Sequence, residues 1–197
     1  MTAVLERPSR AQALKTLTHA AHERLDKAIM AGRPFESRER YGLFLSVQWG
    51  FHREIDALYS NLELDRLLPD LPGRRRFELV SQDLADLGLP LPAAASAPRF
   101  SVGEAVDIPT ALGWLYVAEG SNLGAAFLLK AAAGLGLSET LGARHLAAAP
   151  EGRGLHWKTF TAALDATVLD DAAEARAAAG AEAAFNRVAD LVAVTFR

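Results

Sequence analysis

The chain has 197 residues, of which 50% are hydrophobic and 23% are charged, a balance typical of a globular protein. This length predicts one domain over residues 1–197, and the composition excludes an intrinsically disordered, collagen-like or rod-shaped protein. The formal net charge of −3 disfavours broad nucleic-acid binding, and the lack of cysteine excludes disulfides, thiolate metal sites and cysteine nucleophiles.

Alanine and leucine dominate the chain, and no stretch alternates apolar and polar residues as a half-buried strand would. Ser9 and Gln12 have the spacing of a capping box, which predicts a first helix that runs to about residue 31. A second helix is predicted over residues 37–61 and a third over 74–87. The Pro- and Ala-rich residues 89–106 are interpreted as an ordered connector without a domain boundary.

The second half of the chain is also predicted to be helical. Pro109 suits the first turn of a long fourth helix that reaches Ala133 and ends at Gly134. Helices over residues 154–169 and 171–195 follow, with one short helix at about 140–148. The sequence therefore predicts an all-α domain of about six or seven helices.

The first helix contains two histidines, His19 and His22. At 100° per residue, its core-facing stripe is predicted to consist of Leu14, Leu17, Ala21, Leu25 and Ala28. His22 lies about 90° from the centre of this stripe and His19 about 150°, so only His22 is predicted at the edge of the core. Lys15 precedes His22 by two turns, about 10 Å away on the same flank. A half-buried histidine and a solvated lysine without function remain the simpler interpretation of this helix alone.

Three glycines, Gly113, Gly120 and Gly124, fall close to one stripe inside the predicted fourth helix. Each costs about 0.8–1 kcal/mol relative to alanine, so we expect a compensating role. Two interpretations stay open. The bare backbone either receives a flat ligand or permits a close crossing with another helix.

Three segments together make the sequence recognisable: Thr18–Asp26, Gly113–Lys130 with Tyr116-Val117-Ala118-Glu119-Gly120-Ser121-Asn122-Leu123-Gly124 at its centre, and Gly152–Phe160. In this order they resemble the haem (heme) oxygenases, in particular their bacterial branch. The resemblance covers essentially the whole chain. It implies a single-domain, all-α haem-oxygenase-like fold in which haem is sandwiched between a proximal and a distal helix.

The resemblance also implies roles for individual residues in binding haem. His22 matches the neutral imidazole that binds the haem iron, so it is the predicted metal ligand. Gly120 and Gly124 match the distal glycines, whose backbone lies over the porphyrin. Lys15 and Tyr116 match groups that bind the haem propionates.

Other predicted site residues are polar groups on the distal side. Gln48, His52 and Asn122 match residues that hold distal water in some bacterial members, whereas a plain polar helix face is the alternative for Gln48 and His52. Ser121 stands where the animal enzymes carry an aspartate, so the organiser of the distal water differs from theirs. Lys130 is a competing anchor for the propionates.

The implied reaction is the cleavage of haem b, which is substrate and cofactor together, by O2 and electrons into biliverdin, carbon monoxide and Fe²⁺. The IXα isomer of biliverdin is expected. No Gly-x-Gly-x-x-Gly dinucleotide fingerprint occurs, so the electrons are expected from a reductase, ferredoxin or flavodoxin. Two roles for the reaction stay open. It either releases iron, with biliverdin as a by-product, or supplies biliverdin as the chromophore of a bacteriophytochrome.

Two other function classes compete with this prediction. One is a haem carrier or sensor with the same pocket and no turnover, and the other is a helical protein that binds a different ligand and uses its glycines for packing alone. The basic run Arg74-Arg75-Arg76 matches a docking site for an acidic redox partner, although a solvated loop or helix start is the simpler interpretation.

The sequence predicts a cytoplasmic protein. Its first residues lack the basic start and apolar run of a signal peptide. The most apolar stretch, residues 111–137, is interrupted by Glu119, Ser121, Asn122 and Lys130, so it is a poor membrane span. We therefore expect no membrane association.

Overall fold

The computed structural model describes residues 8–94 and 96–197, which form seven α-helices, three short 3-10 turns and no named strand. The helices are α1 (Arg10–Ala31), α2 (Arg38–Ile55), α3 (Leu62–Leu67), α4 (Phe77–Asp86), α5 (Ile108–Ala133), α6 (Arg153–Ala166) and α7 (Asp171–Thr195). The 3-10 turns are Asp56–Ser60, Pro72–Arg74 and Arg144–Leu146. The all-α prediction is confirmed. No helix in the described part of the chain is long and apolar enough to cross a membrane.

Side-chain caps explain where α1 and α5 begin. The Ser9 hydroxyl accepts from the Gln12 backbone N–H, and the Gln12 side chain accepts from the Ser9 backbone N–H, so the predicted capping box starts α1. The Asp107 carboxylate accepts from the Thr110 N–H at 3.1 Å, and Pro109 follows in the first turn of α5.

Several predicted boundaries are wrong where short-range signals misled. The second helix ends at Ile55 because the chain tightens into a 3-10 turn instead of continuing to residue 61. The six-residue α3, capped by Asn61, was not predicted, and α4 begins at Phe77 rather than at residue 74. The short helix expected at 140–148 is a single 3-10 turn, and α6 ends at Ala166 rather than at residue 169. The bounds predicted for α7 are confirmed.

Helix α7 lies against α1, α2 and α5, while α6 packs on both α1 and α5. Helices α1 and α5, which carry His22 and the distal glycines, therefore share α6 and α7 as neighbours. One apolar cluster joins α1, α2, α5, α6 and α7, and a second joins α2, α4 and the end of α5.

Candidate functional site

The second half of α5 exposes backbone and apolar side chains together. A Cβ atom placed on Gly124 would meet no described heavy atom within 4 Å, and one placed on Gly120 would meet only the Trp157 ring, at 3.5 Å. Leu123 and Phe127 are 46% and 67% exposed. We call Gly120, Leu123, Gly124 and Phe127 the glycine surface. An open surface of this kind fits a flat, largely apolar ligand.

The remaining glycine of the stripe, Gly113, faces the backbone of α7. A Cβ on Gly113 would lie 2.1 Å from the carbonyl oxygen of Ala177 in α7. On the facing helix, a Cβ on Gly180 would lie 2.4 Å from the Thr110 carbonyl oxygen. The helix-crossing interpretation is therefore correct for Gly113, and the open-surface interpretation describes Gly120 and Gly124.

His22 projects from α1 with 60% of its side chain exposed. Its Nδ1 lies 3.1 Å from the Asp26 carboxylate, and its ring meets the Phe185 ring edge-on, with centroids 6.0 Å apart. His19 is more exposed and pairs with Glu23 at 3.5 Å. Of these two histidines, only His22 therefore touches an aromatic side chain of α7.

The predicted core stripe of α1 is partly wrong. Leu17 is 46% exposed and Ala28 is also exposed, whereas Thr18 is buried and its hydroxyl donates to the Leu14 carbonyl oxygen. Because Thr18 satisfies its own hydroxyl within the helix, it can occupy the core. The buried face is thereby rotated away from Leu17, and an apolar side chain is left on the surface of the helix that carries His22.

On α2, Gln48 is half-buried and His52 is 3% exposed. Burial, followed by the nearby His145 and Arg76, lowers the pKa of His52 to about 3, so this imidazole is neutral at pH 7. Its Nδ1 has no hydrogen-bond partner among the described residues. The structure thus brings His52 close to His145, whose Nδ1 lies 2.7 Å from Asp83. The buried pair of His145 and Asp83 beside His52 was not predicted.

Two predicted polar residues of α5 face different ways. The Ser121 hydroxyl donates to the Ala118 carbonyl oxygen at 2.7 Å, within the same helix. Asn122 is buried, and its backbone carbonyl accepts from the Arg153 guanidinium at 2.9 Å. The structure therefore ties the glycine half of α5 to the start of α6.

Of the predicted propionate-binding groups, Tyr116 is buried, with its ring centroid 5.6 Å from that of Trp157. Burial raises the pKa of its hydroxyl, which therefore stays protonated and able to donate. Lys15 and Lys130 are both exposed. Tyr116 stands one turn before Gly120, and both touch the same Trp157 ring.

A buried charge network behind the glycine surface was missed. The carboxylate of Glu119 accepts from Arg74 at 3.0 Å and from the Tyr59 hydroxyl at 3.1 Å, and the Arg74 and Glu119 side chains are each 1% exposed. Burial next to Glu119 raises the pKa of Tyr59 far above its ordinary value. A single acid in the otherwise apolar run 111–120 was the available signal, since a buried charge needs a partner.

The run Arg74-Arg75-Arg76 does lead into a helix, since Arg76 is the N-cap residue of α4, but the solvated and partner-docking interpretations are wrong for most of it. Arg74 and Arg76 are buried, and Arg76 donates to the His145 carbonyl oxygen. Arg75 alone is partly exposed, where it forms a two-bond pair with Asp56. The run is therefore structural.

Comparisons with known proteins decide the family. The family model described as "Heme oxygenase" matches residues 9–193. The chain belongs to the heme oxygenase family.

A curated relative, "Heme oxygenase PigA" of Pseudomonas aeruginosa, is 46% identical over 188 residues, which are 95% of this chain and 93% of that protein. A solved haem oxygenase from Neisseria meningitidis, described in its NO- and CO-bound forms, is 42% identical and superposes with a TM-score of 0.89. That match covers 96% of this chain and 93% of the other. The predictions of a bacterial-type haem oxygenase fold and of a haem-degrading enzyme are confirmed.

Proposed function

We propose that this haem oxygenase binds haem between α1 and the glycine surface of α5 and opens its ring to biliverdin, carbon monoxide and Fe²⁺. The observation that carries this proposal is the bare backbone at Gly124, where a Cβ would have no heavy atom of the described residues within 4 Å. The residues present fit haem because a flat apolar ring needs such a surface on one side and an exposed imidazole on the other. Haem, as substrate and cofactor, supplies the oxygen chemistry when it is bound with O2 and electrons.

His22 is the proposed iron ligand. Its Nδ1 faces the Asp26 carboxylate at 3.1 Å, which leaves Nε2 as the nitrogen for iron. A carboxylate on the far nitrogen sets the tautomer and orientation of a metal-binding histidine. Asp26 is thus a proposed positioning residue. The Phe185 ring limits rotation of the imidazole from the other side.

On the distal side, we assign the positioning of water to Gln48, His52 and the α5 backbone near Asn122. His52 is neutral and has an unpartnered Nδ1, so it can hold a water without itself carrying a charge. The Ser121 hydroxyl is engaged with Ala118, so it contributes less than its position in the sequence suggested. None of these side chains is a strong acid, which favours ring oxidation over early cleavage of the O–O bond.

The proposed product is mainly biliverdin IXα. Lys15, on the flank of α1 that carries His22, offers an ammonium, and Tyr116, one turn before Gly120, offers a protonated hydroxyl. Gripping the propionate edge from both sides of the ring would direct the opposite α-meso carbon toward oxygen. The competing anchor Lys130 lies near the far end of α5.

We expect a reductase, ferredoxin or flavodoxin to deliver electrons, because the sequence has no dinucleotide fingerprint of its own. The cytoplasm is the proposed location. Ring opening either serves to release iron for use or supplies biliverdin to a bacteriophytochrome as its chromophore.

Adding haem, then O2 and a reductant, tests the proposal. We expect a Soret band on titration, followed by its replacement with biliverdin absorption, and chromatography should show mainly the IXα isomer. A stable Soret band under turnover conditions would indicate a carrier or sensor, and no Soret shift would indicate another ligand. Replacing Lys15 and Tyr116 together should yield mixed isomers, and a mainly β or δ product from the unmodified chain would contradict the assignment of the propionate anchors.

A further inference from the structure

The first turns of α6 touch α5 at three successive points, all in its glycine half. The Arg153 guanidinium donates to the Asn122 carbonyl oxygen at 2.9 Å, and His156 Nε2 lies 3.5 Å from the Glu119 carboxylate. The Trp157 ring stands 3.5 Å from the place of a Gly120 Cβ. We call Arg153, His156 and Trp157 the α6 anchor.

The contact of Arg153 is unusual because Asn122 lies well inside α5, where carbonyl groups already have helical partners. The Asn122 carbonyl oxygen has a second lone pair, which can accept from a guanidinium. Such a charge-assisted bond is stronger than a bond between neutral groups. The other Nη atom of Arg153 donates to the Leu146 carbonyl oxygen. Arg153 thus joins the middle of α5 to the 3-10 turn that precedes α6.

His156 strengthens the same junction. It is buried, its Nδ1 lies 2.7 Å from Glu151, and its own carbonyl oxygen accepts from both Nη atoms of Arg74 at 3.3 and 3.4 Å. Arg74 in turn holds Glu119. The groups that face His156 are therefore Glu119 from α5, Arg74 from the 3-10 turn Pro72–Arg74, and Glu151 from the loop before α6.

This half of α5 needs such support. Gly120 and Gly124 weaken a helix, and nothing described packs over Gly124, whereas the first half is locked against α7 at Gly113. Apart from α6, this half is supported on its buried side, where Ala125 lies in the second apolar cluster. A shift of a fraction of an ångström there changes how the backbone lies over a bound ring.

We propose that Arg153 is a positioning residue that sets the place of the glycine surface of α5 and thereby the regiochemistry of ring opening. This inference rests on the proposed function. It assigns the Gly152–Phe160 segment, one of the three that carry the family resemblance, a task away from the iron ligand.

The test compares Arg153→Gln with Arg38→Gln. Arg38 also donates to a backbone carbonyl, that of Leu135 just after α5, at 2.9 Å, so its variant loses a similar bond outside the glycine half. Amide hydrogen exchange of the haem-free proteins measures the opening of residues 120–126, and the haem-loaded proteins give the biliverdin isomer ratio and the rate of carbon monoxide dissociation.

We expect Arg153→Gln to speed exchange in residues 120–126 several-fold, to give mixed biliverdin isomers and to accelerate carbon monoxide release several-fold, with the His22-bound spectrum intact. Arg38→Gln should match the unmodified protein in all three. Unchanged exchange and isomer ratio in Arg153→Gln would overturn the inference, as would equal changes in both variants.

Should Arg153→Gln lose its overall helicity, Arg153→Lys carries the test. Lysine keeps the charge but lacks the planar fork that reaches two carbonyl groups, so intermediate values are expected and wild-type values would overturn the inference. The proposed function fails separately, if the unmodified chain makes no biliverdin.

Discussion

The two halves of α5 use the same residue type on the same stripe for opposite purposes. Gly113 removes a side chain so that α7 can approach the backbone, and a Cβ there would lie 2.1 Å from the Ala177 carbonyl oxygen. Gly124, about 16 Å further along the helix, faces open space instead. A glycine stripe therefore acquires its role from what crosses the helix at each turn, since α7 crosses at Gly113 and leaves Gly124 open.

The same substitution at Gly113 and at Gly124 should have opposite effects on stability. Gly113→Ala should lower the free energy of unfolding by about 3 kcal/mol or more, because rigid backbone atoms occupy the place of the Cβ. Gly124→Ala should raise it by up to about 1 kcal/mol, since alanine is the better helix former and has room. Urea unfolding measures both. Equal effects at the two positions would mean that they have equivalent surroundings.

A larger side chain separates function from folding in the second half. Gly124→Leu should keep the far-UV helicity of the protein and lower biliverdin formation by about tenfold or more, because the side chain takes the place of the ring. Ala126→Leu is the matched control, since Ala126 is exposed on another face of the same turn. General loss of helicity in Gly124→Leu, with normal turnover in the folded fraction, would support a packing role for Gly124 instead.

The contact of His156 with Glu119 and Glu151, behind the glycine surface, should make the stability of the protein depend on pH. The Glu119 carboxylate, with help from Glu151, raises the pKa of His156 above its ordinary 6.5, against the opposing effects of burial and Arg74. A raised pKa in the folded state means that protonated His156 contributes stability below the unfolded pKa. This contribution is lost as the pH rises through the folded pKa.

We therefore expect the unfolding free energy to fall, as the pH rises above the ordinary 6.5 and through the raised pKa of His156, by a component that His156→Gln removes. This is the smallest effect in the set. His19→Gln is the control, because the His19 side chain is exposed on α1 and lies outside the contact between α5 and α6. A pH dependence that is identical in the unmodified protein and in His156→Gln would disprove the role of this imidazole.

Local signals in the sequence were sufficient to predict most helices. Ser9 and Gln12 start α1, and Asp170 caps an α7 whose predicted bounds are confirmed. The six-residue α3 escaped prediction because it is too short to show a periodic pattern, and the 3-10 turn after Ile55 continues the apolar pattern of α2.

The candidate site was less predictable because its supporting contacts join distant parts of the chain. Arg74 was interpreted as a surface residue, since its partner Glu119 lies 45 positions away in the sequence. Nothing local separates Gly113 from Gly124, because the crossing of α7 decides between them. The angle on α1 separates His22 from His19 and the family resemblance makes it the predicted ligand, whereas its contact with Phe185 of α7 is long-range information.

Haem titration of His22→Ala tests most directly whether His22 and the open half of α5 together hold haem. His19→Ala, three residues earlier on α1, is the control. We predict that His22→Ala loses the Soret spectrum of the unmodified protein and nearly all turnover, and that added imidazole restores the spectrum. His19→Ala should keep both. An unchanged spectrum and unchanged biliverdin formation in His22→Ala would contradict the account.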